Sequence, residues 1–280
     1  MKHWAQNGFK ALTSAWVLAL LATVAWSQSI TWLGTLPGGD YSAARGVSAG
    51  GAVVVGVAQN AAGQRRAFRW ENGVMQDLDT LGGDWSEASA VSAGGAVEVG
   101  MAYNAAGDYR AFRWQNGVMQ DLGTLGGLES WAYAVSADGS VMVGWSYNAA
   151  GQARAFRWTA SGGIEDLNLT YVYVLSCSVT PGSVLIAAHA VSSDGRYIVG
   201  TGFNAATGRR EAFLLDTQAP FSPNGDVNGD GCVDDIDMLG VLFEFGEPVN
   251  DFNRCVDVNR DGIIDDADLL IVLFNFGSGC

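Results

Sequence analysis

Residues Ala88 to Gly127 read A-S-A-V-S-A-G-G-A-V-E-V-G-M-A-Y-N-A-A-G-D-Y-R-A-F-R-W-Q-N-G-V-M-Q-D-L-G-T-L-G-G. The same text stands on both sides of this stretch. Ala67-Phe68-Arg69-Trp70, Ala111-Phe112-Arg113-Trp114 and Ala155-Phe156-Arg157-Trp158 recur at a step of 44 residues, and Val47-Ser48, Val91-Ser92 and Val135-Ser136 keep that step. A divergent fourth copy spans residues 188–215, with Val191-Ser192-Ser193-Asp194-Gly195 and Ala212-Phe213-Leu214-Leu215. A period of this size marks a repeat architecture whose units bury their apolar faces against one another.

Within the unit, apolar residues alternate and turn signals punctuate. Ala88–Ser92 reads as a first strand, closed by Ala93-Gly94-Gly95. Ala96–Tyr103 reads as a second, with Val97, Val99 and Met101 on one face. Asn104-Ala105-Ala106-Gly107 turns into Tyr109–Trp114, where Phe112 and Trp114 share a face and Arg113 takes the other. Gln115-Asn116-Gly117 is a hairpin signal, leading to Val118–Leu122. Four antiparallel strands in about 44 residues is the size of a β-propeller blade.

The array has matching ends. Ile30-Thr31-Trp32-Leu33-Gly34-Thr35-Leu36-Pro37-Gly38-Gly39 matches Asp121-Leu122-Gly123-Thr124-Leu125-Gly126-Gly127, the fourth strand and exit loop of a repeat, yet no repeat precedes it. The last copy supplies only three strands, Ala188–Ser192, Arg196–Gly202 and Arg209–Leu215. The expected fold is therefore an all-β, four-bladed propeller-like domain whose N-terminal strand closes the last blade. An open array of four sheets is the alternative. Residues 168–187 lengthen the third-to-fourth step, so that Phe156 and Phe213 stand 57 apart. They hold Cys177 and the sequon Asn168-Leu169-Thr170. The pattern V-S-x-x-G…N-A-A-G…A-F-R-W…D-L-G-T-L-G-G resembles the HAF-type extracellular repeat of bacteria over residues 30–215. That resemblance implies an exported β-rich repeat with no catalytic residue to carry over.

The repeats offer little chemistry. Alternation assigns Phe68, Phe112 and Phe156 to the packing between blades, and the arginines to the opposite face, stacked on neighbouring aromatics. Asp77, Asp121 and Asp166 recur at one rim, where aspartates bond turn amides. His3 falls in the leader and His189 reads as a strand residue. No nucleophile elbow, phosphate loop or zinc-type spacing is present. No catalytic residue and no organic cofactor is assigned.

Net charge is −14, which argues against nucleic acid or an anionic membrane as partner. The acidity is concentrated. Residues 224–280 hold 13 acidic and 2 basic side chains. At the other end, Lys2 and Lys10 precede the apolar run Ala15–Ala25, and Ala25-Trp26-Ser27 offers small residues for cleavage before Gln28. Residues 1–27 read as a secretory signal, too short for the ~20 apolar residues of a spanning helix. The reading leaves no transmembrane segment after cleavage, places the protein outside the cell or on its surface, and makes disulfides permissible. The four cysteines, Cys177, Cys232, Cys255 and Cys280, allow three fully paired connectivities.

After a linker at residues 217–224 comes a second duplication, with a period of 31. Asp226–Gly246 and Asp257–Gly277 are identical at 14 of 21 positions. In the first copy oxygen ligands fall at loop positions 1, 3, 5, 9 and 12, namely Asp226, Asn228, Asp230, Asp234 and Asp237, with the carbonyl of Cys232 at position 7. In the second they are Asp257, Asn259, Asp261, Asp265 and Asp268, with the carbonyl of Ile263. This is calcium-loop spacing, with Gly231 and Gly262 at the sharp turn of position 6. Hard oxygen donors suit Ca²⁺, one ion per loop. Each loop opens a helix, with Leu239, Leu242 and Phe243 repeated as Leu270, Leu273 and Phe274 on one face, and Gly246 and Gly277 as stops.

A duplicated loop-then-helix with Asp at position 12 resembles type I dockerin over residues 225–280. The resemblance implies a small all-α calcium module whose helices bind a cohesin-like partner. Loop positions 10 and 11 are Asp235-Ile236 and Asp266-Ala267, without the family's usual Ser/Thr. Paired loop–helix units bring their ends together, so a Cys232–Cys280 clasp is expected, with Cys255 free or paired to Cys177. The chain as a whole reads as a secreted, non-catalytic binding or surface protein. A carbohydrate-active enzyme or lectin with a glycan ligand is the alternative.

Overall fold

The computed structural model describes residues 28–171, 182–218, 225–228, 232–250 and 253–280. The leader, Cys177, Asp230 and Gly231 lie outside the described residues. The chain divides into Met1–Trp32 and Leu33–Cys280. Of the first unit, the described residues 28–32 carry no strand.

In the second unit the repeats form antiparallel sheets. The first runs β1 (Ser42–Val47), β2 (Val53–Gln59), β3 (Arg65–Glu71) and β4 (Val74–Asp77), paired in that order. The second runs β5 (Gly82–Val91), β6 (Glu98–Asn104), β7 (Tyr109–Gln115) and β8 (Val118–Asp121). The third runs β9 (Gly126–Val135), β10 (Val141–Asn148), β11 (Ala153–Thr159) and β12 (Gly163–Asp166), and is followed by a single helical turn, α1 (Leu167–Thr170). The fourth has three strands, β13 (Val184–Val191), β14 (Tyr197–Asn204) and β15 (Arg209–Asp216).

The expected ring closure is not formed. Residues 28–35 carry no strand, and among the described residues none pairs with the outer edge of β15. The segment expected to close the ring buries little: Ile30 and Trp32 are 79% and 87% exposed, and its first buried residue, Leu36, packs on Ala58 and Phe68 of the first sheet. The T-L-x-G-G loops behave the same way: the first strands begin at Gly82 and Gly126, earlier than the expected start at Ala88. A Cβ at Gly83 or Gly127 would lie 2.5 or 2.6 Å from the Cβ of Tyr103 or Tyr147, a close approach only glycine permits.

Successive sheets stack through apolar layers. Phe112 and Trp114 of the second sheet pack on Val53, Val55 and Ala67 of the first. Phe156 and Trp158 of the third repeat this on Val97, Val99 and Ala111, and Leu185 and Leu215 of the fourth pack on Val143 and Ala155. Each phenylalanine buried this way contributes about 1.5–3 kcal/mol. Polar details repeat with the layers. Ser48, Ser92, Ser136 and Ser192 each accept, on Oγ, the amide five residues on, at 2.9–3.1 Å. The turns they form are linked across sheets: Ala49 N–H donates to Ala93 O at 3.1 Å, Ala93 N–H to Ala137 O at 3.1 Å, and Ala137 N–H to Ser193 O at 3.0 Å.

The expected face for the arginines is observed. Arg69 lies over the Trp114 ring at 6.0 Å and also binds Glu98 and the carbonyl of Gly95. Glu98 is fully buried, and burial pushes its carboxyl up to about 7 against the pull of Arg69. The aspartates bond turns as expected: Asp77 accepts from Asp79 N–H at 2.8 Å, Asp121 from Gly123 N–H at 2.7 Å, and Asp166 caps α1 through Asn168 N–H at 2.9 Å.

The C-terminal module has α2 (Asp235–Phe243) and α3 (Asp266–Phe274) over a small core of Val233, Val241, Val256, Ile264 and Val272. Cys232 and Cys280 form the expected disulfide. Cys255 is also disulfide-bonded. No helix among the described residues is long and apolar enough to cross a membrane.

Candidate metal centre

Each acidic loop is wound by its own amides. Asp237 accepts Val227 N–H at 2.7 Å and Asn228 N–H at 3.0 Å on one oxygen, and Asp234 N–H at 2.9 Å on the other. Asp268 repeats this with Asn259 N–H at 2.9 Å and Asp265 N–H at 3.0 Å. Asp257 accepts the amides of Asp261 and Gly262, both at 3.1 Å. Asn259 Oδ1 accepts Asp261 N–H at 2.8 Å, and Asp261 accepts Ile263 N–H at 2.9 Å. Gly262 has φ +90°, the left-handed turn that position 6 requires.

Asp234 and Asp265 have a second task. They are the N-caps of α2 and α3, accepting from Ile236 and Ala267 N–H at 2.8 Å and completing capping boxes with Asp237 and Asp268. Such a cap is worth about 1 kcal/mol and ties the loop to its helix.

The oxygens suit a hard divalent cation. Asp237, Asp257 and Asp268 are buried. The Asp257 carboxyl is held above the ordinary carboxylate range, first by burial and then by the negative charges of Asp268 and Asp261. Buried carboxylates that repel one another are the arrangement a calcium ion relieves. Among the described residues the acidic side chains are not drawn into a cluster of three, because their oxygens are turned onto loop amides. Asp226 and Asn228 stand at the start of the first loop. Cys232 and Ile263 keep their places at position 7.

The helices carry a feature that their spacing did not disclose. Leu239, Leu242, Phe243 and Phe245, and their duplicates Leu270, Leu273, Phe274 and Phe276, are exposed, with Phe243 and Phe274 at 80% and 84%. The buried positions of the helices are instead Val241 and Asp237, and Val272 and Asp268.

A second cluster, in the repeats, was not legible as a site. The first strands of adjacent sheets meet through paired side chains. Arg45 binds Glu87 at 2.8 Å, Trp131 Nε1 donates to Ser89 Oγ at 2.9 Å, and His189 stacks on Tyr133 with ring centres 5.5 Å apart. The first two pairs span 42 residues, two short of the repeat. That offset was the available signal. His189 is a strand residue, as expected, and its Nε2 lies 3.1 Å from Thr201 Oγ1. Rings also pack along the ends of the second and third sheets, from Trp85 through Tyr103 and Tyr109 to Trp145 and Tyr147.

Comparison with known proteins supports the C-terminal reading. Residues 224–273 match the type I dockerin domain, so this segment is a dockerin domain. No curated protein matches the chain. Among solved structures, a putative TolB from Agrobacterium tumefaciens is similar at 14% identity and a TM-score of 0.43, covering 61% of this chain and 59% of its own. TolB from Acinetobacter baumannii is similar at 14% identity and a TM-score of 0.40, covering 65% of this chain and 46% of its own. The chain thus spans about half to three fifths of the length of those two structures. Dockerin domains bind calcium in general, and they occur in extracellular or cell-surface proteins.

Proposed function

We propose that the chain is a secreted, non-catalytic binding or surface protein. After a leader at residues 1–27, HAF-type repeat sheets over 28–216 present a contact surface, and a linker at 217–224 joins them to a dockerin module at 225–280. That module takes two Ca²⁺ ions, one on Asp226, Asn228, Asp230, Asp234, Asp237 and the Cys232 carbonyl, the other on Asp257, Asn259, Asp261, Asp265, Asp268 and the Ile263 carbonyl. It attaches the protein to a cohesin-like partner or to the cell surface. The observation that carries this is the duplicated, exposed row of leucines and phenylalanines on α2 and α3, beside two acidic loops. An apolar patch repeated on both helices is an interaction surface in search of a partner.

Calorimetry tests the ions. Calcium at a thousandfold excess over Kd stabilises a folded module by about 4 kcal/mol. EGTA is therefore expected to lower the module's transition, and an unchanged transition overturns the metal assignment. Surface plasmon resonance on an immobilised type I cohesin tests attachment. Binding is expected in calcium, with loss in EGTA and at least a tenfold weakening in the double variant Phe243→Ser, Phe274→Ser. Absent or calcium-independent binding overturns the cohesin reading.

A second reading, a lectin or carbohydrate-active enzyme, is favoured by one observation, the Trp131, Tyr133 and His189 rings along the meeting first strands. Glycan-array binding without turnover marks a lectin, and hydrolysis of a polysaccharide marks an enzyme.

A further inference from the structure

The far side of the fourth sheet is built as an interface, and among the described residues no sheet covers it. In each earlier sheet this side receives the next sheet. Val55, Val99 and Val143 are fully buried there, as are Ala67, Ala111 and Ala155. Their counterparts in the fourth sheet are open: Val199 is 40% exposed, and Ala212 is exposed. Leu214, where the other repeats have Arg69, Arg113 and Arg157, is 68% exposed. Among the described residues, no strand lies on the outer edge of β15 where β4, β8 and β12 lie in the other sheets.

The start of the array is the complement, at the level of single hydrogen bonds. Ser86 Oγ donates to Asp79 O at 2.5 Å while accepting Ala67 N–H of the preceding sheet at 2.9 Å. Ser130 Oγ donates to Gly123 O at 2.6 Å while accepting Ala111 N–H at 2.9 Å. Ser42 is already set the same way, donating to Gly34 O at 2.6 Å, and among the described residues no sheet stands before it. The donor that continues the series is the amide of Ala212. The turn glycines agree. Gly95 lies against Val53, Gly139 against Val97 and Gly195 against Val141, where a Cβ would come within 2.6–2.8 Å of the valine. Gly51 has nothing within 4 Å, and the next position in the series is Tyr197.

We propose that a second copy of this chain occupies the far face of the fourth sheet, stacking its first sheet there in the register of the internal interfaces. Its Leu33 takes the place held by Leu78 and Leu122, whose amides donate to Ala67 O and Ala111 O at 2.9 Å. Leu33 N–H of one copy then meets Ala212 O of the other. The contact is head-to-tail, so it propagates or closes into a ring of copies. The occupant is a copy of this chain because the fit is position-specific: Ser42 continues the series of Ser86 and Ser130, Leu33 that of Leu78 and Leu122, and Gly51 that of Gly95, Gly139 and Gly195.

Sedimentation velocity of the full chain over a wide concentration range is expected to show species heavier than monomer that grow with concentration. Val199→Glu, which places a charge on an already open strand position, is expected to abolish them with the circular dichroism unchanged. A monomer at every concentration overturns the proposal, whatever the variants do. The double variant Leu33→Cys, Ala212→Cys tests register, since directly opposed strand residues are within disulfide reach. A ladder of disulfide-linked multimers on a non-reducing gel is expected. Consumption of the new thiols within single chains means the ring closes on itself, and that overturns the second copy as occupant. Free thiols also overturn it.

Discussion

Replacing Glu98 by glutamine should stabilise the repeat sheets. Glu98 sits between the first two sheets, fully buried, with Arg69 on one oxygen, while its Oε2 has no partner among the described residues. Burial raises its carboxyl from 4.5 to about 7 in spite of the arginine. The ionised form is therefore the disfavoured one in the folded protein. At about 1.4 kcal/mol for each pH unit of displacement, the cost of carrying it ionised is about 3 kcal/mol. The sign follows from the direction of the shift. A group raised on folding gives its full stability below its unfolded value of 4.5 and loses it as the pH climbs through 7. Glutamine copies the neutral acid at every pH and can still accept from Arg69. The variant should therefore melt higher than the native chain at pH 8, by roughly 6–12 °C at about 2–4 °C per kcal/mol for a domain of this size. The gap should shrink to nothing as the pH falls to 4.5. Thermal melts of both proteins in saturating calcium, taken as a difference at each pH, cancel every other titrating group. A variant that melts below the native chain at pH 8 would refute the reasoning, because the Arg69–Glu98 ion pair would then outweigh the burial of its charge.

Two further substitutions test separate parts of the fold. Cys280→Ser opens a loop of 48 residues closed by the disulfide to Cys232, and the chain-entropy estimate gives a loss of about 4 kcal/mol from the C-terminal module, read as a lower denaturant midpoint for that module alone. Gly144→Ala places a methyl group 1.9 Å from the carbonyl oxygen of Trp131, so β9 and β10 must part. Such overpacking costs about 1–3 kcal/mol, and an unchanged urea midpoint would show that the two strands are not held this closely in solution.

The strand content of the repeats was open to reading because the alternation is dense. Phe112, Arg113 and Trp114 leave one assignment of faces, and the observed burial follows it. Asn116-Gly117 predicts a tight hairpin, and both residues have the positive φ that such a turn needs, 53° and 83°. The dockerin segment was equally plain, since its duplicated loop-and-helix spacing is a property of the local chain. Leu36 was not, because its text matches two roles. Read backward it ends a repeat, and read forward it begins one. Its burial against Phe68 marks the entry, while the open Ile30 and Trp32 show the stretch before it unpaired. Periodicity left the exposure of the helix face unread for a related reason. Spacing shows which residues share a face, but Val241 and Val272 take the core while the longer side chains beside them do not.

These failures have a common physical source, which bears on how the protein works. Local pattern reports what a segment can bury, and the partner of a face is a property of the assembly. In the repeats, Val55, Val99 and Val143 are buried only because another sheet follows, and Val199 shows the same residue when none does. In the C-terminal module the leucine and phenylalanine rows are apolar for the same reason a core is, yet the module leaves them open. The chain therefore exposes two kinds of apolar surface, one continuing the repeat interface and one on the pair of dockerin helices. They need not compete, because the occupant proposed for one is a copy of the same sheets and for the other a different protein. Association through the first would multiply the second. Each added copy would bring another α2–α3 pair, so weak attachment per module would become strong attachment per assembly. A Val199→Glu chain should then keep its affinity for a soluble cohesin while dissociating faster from a surface dense in cohesin. Equal dissociation rates for the two chains on that surface would separate the two faces and end the argument that they act together.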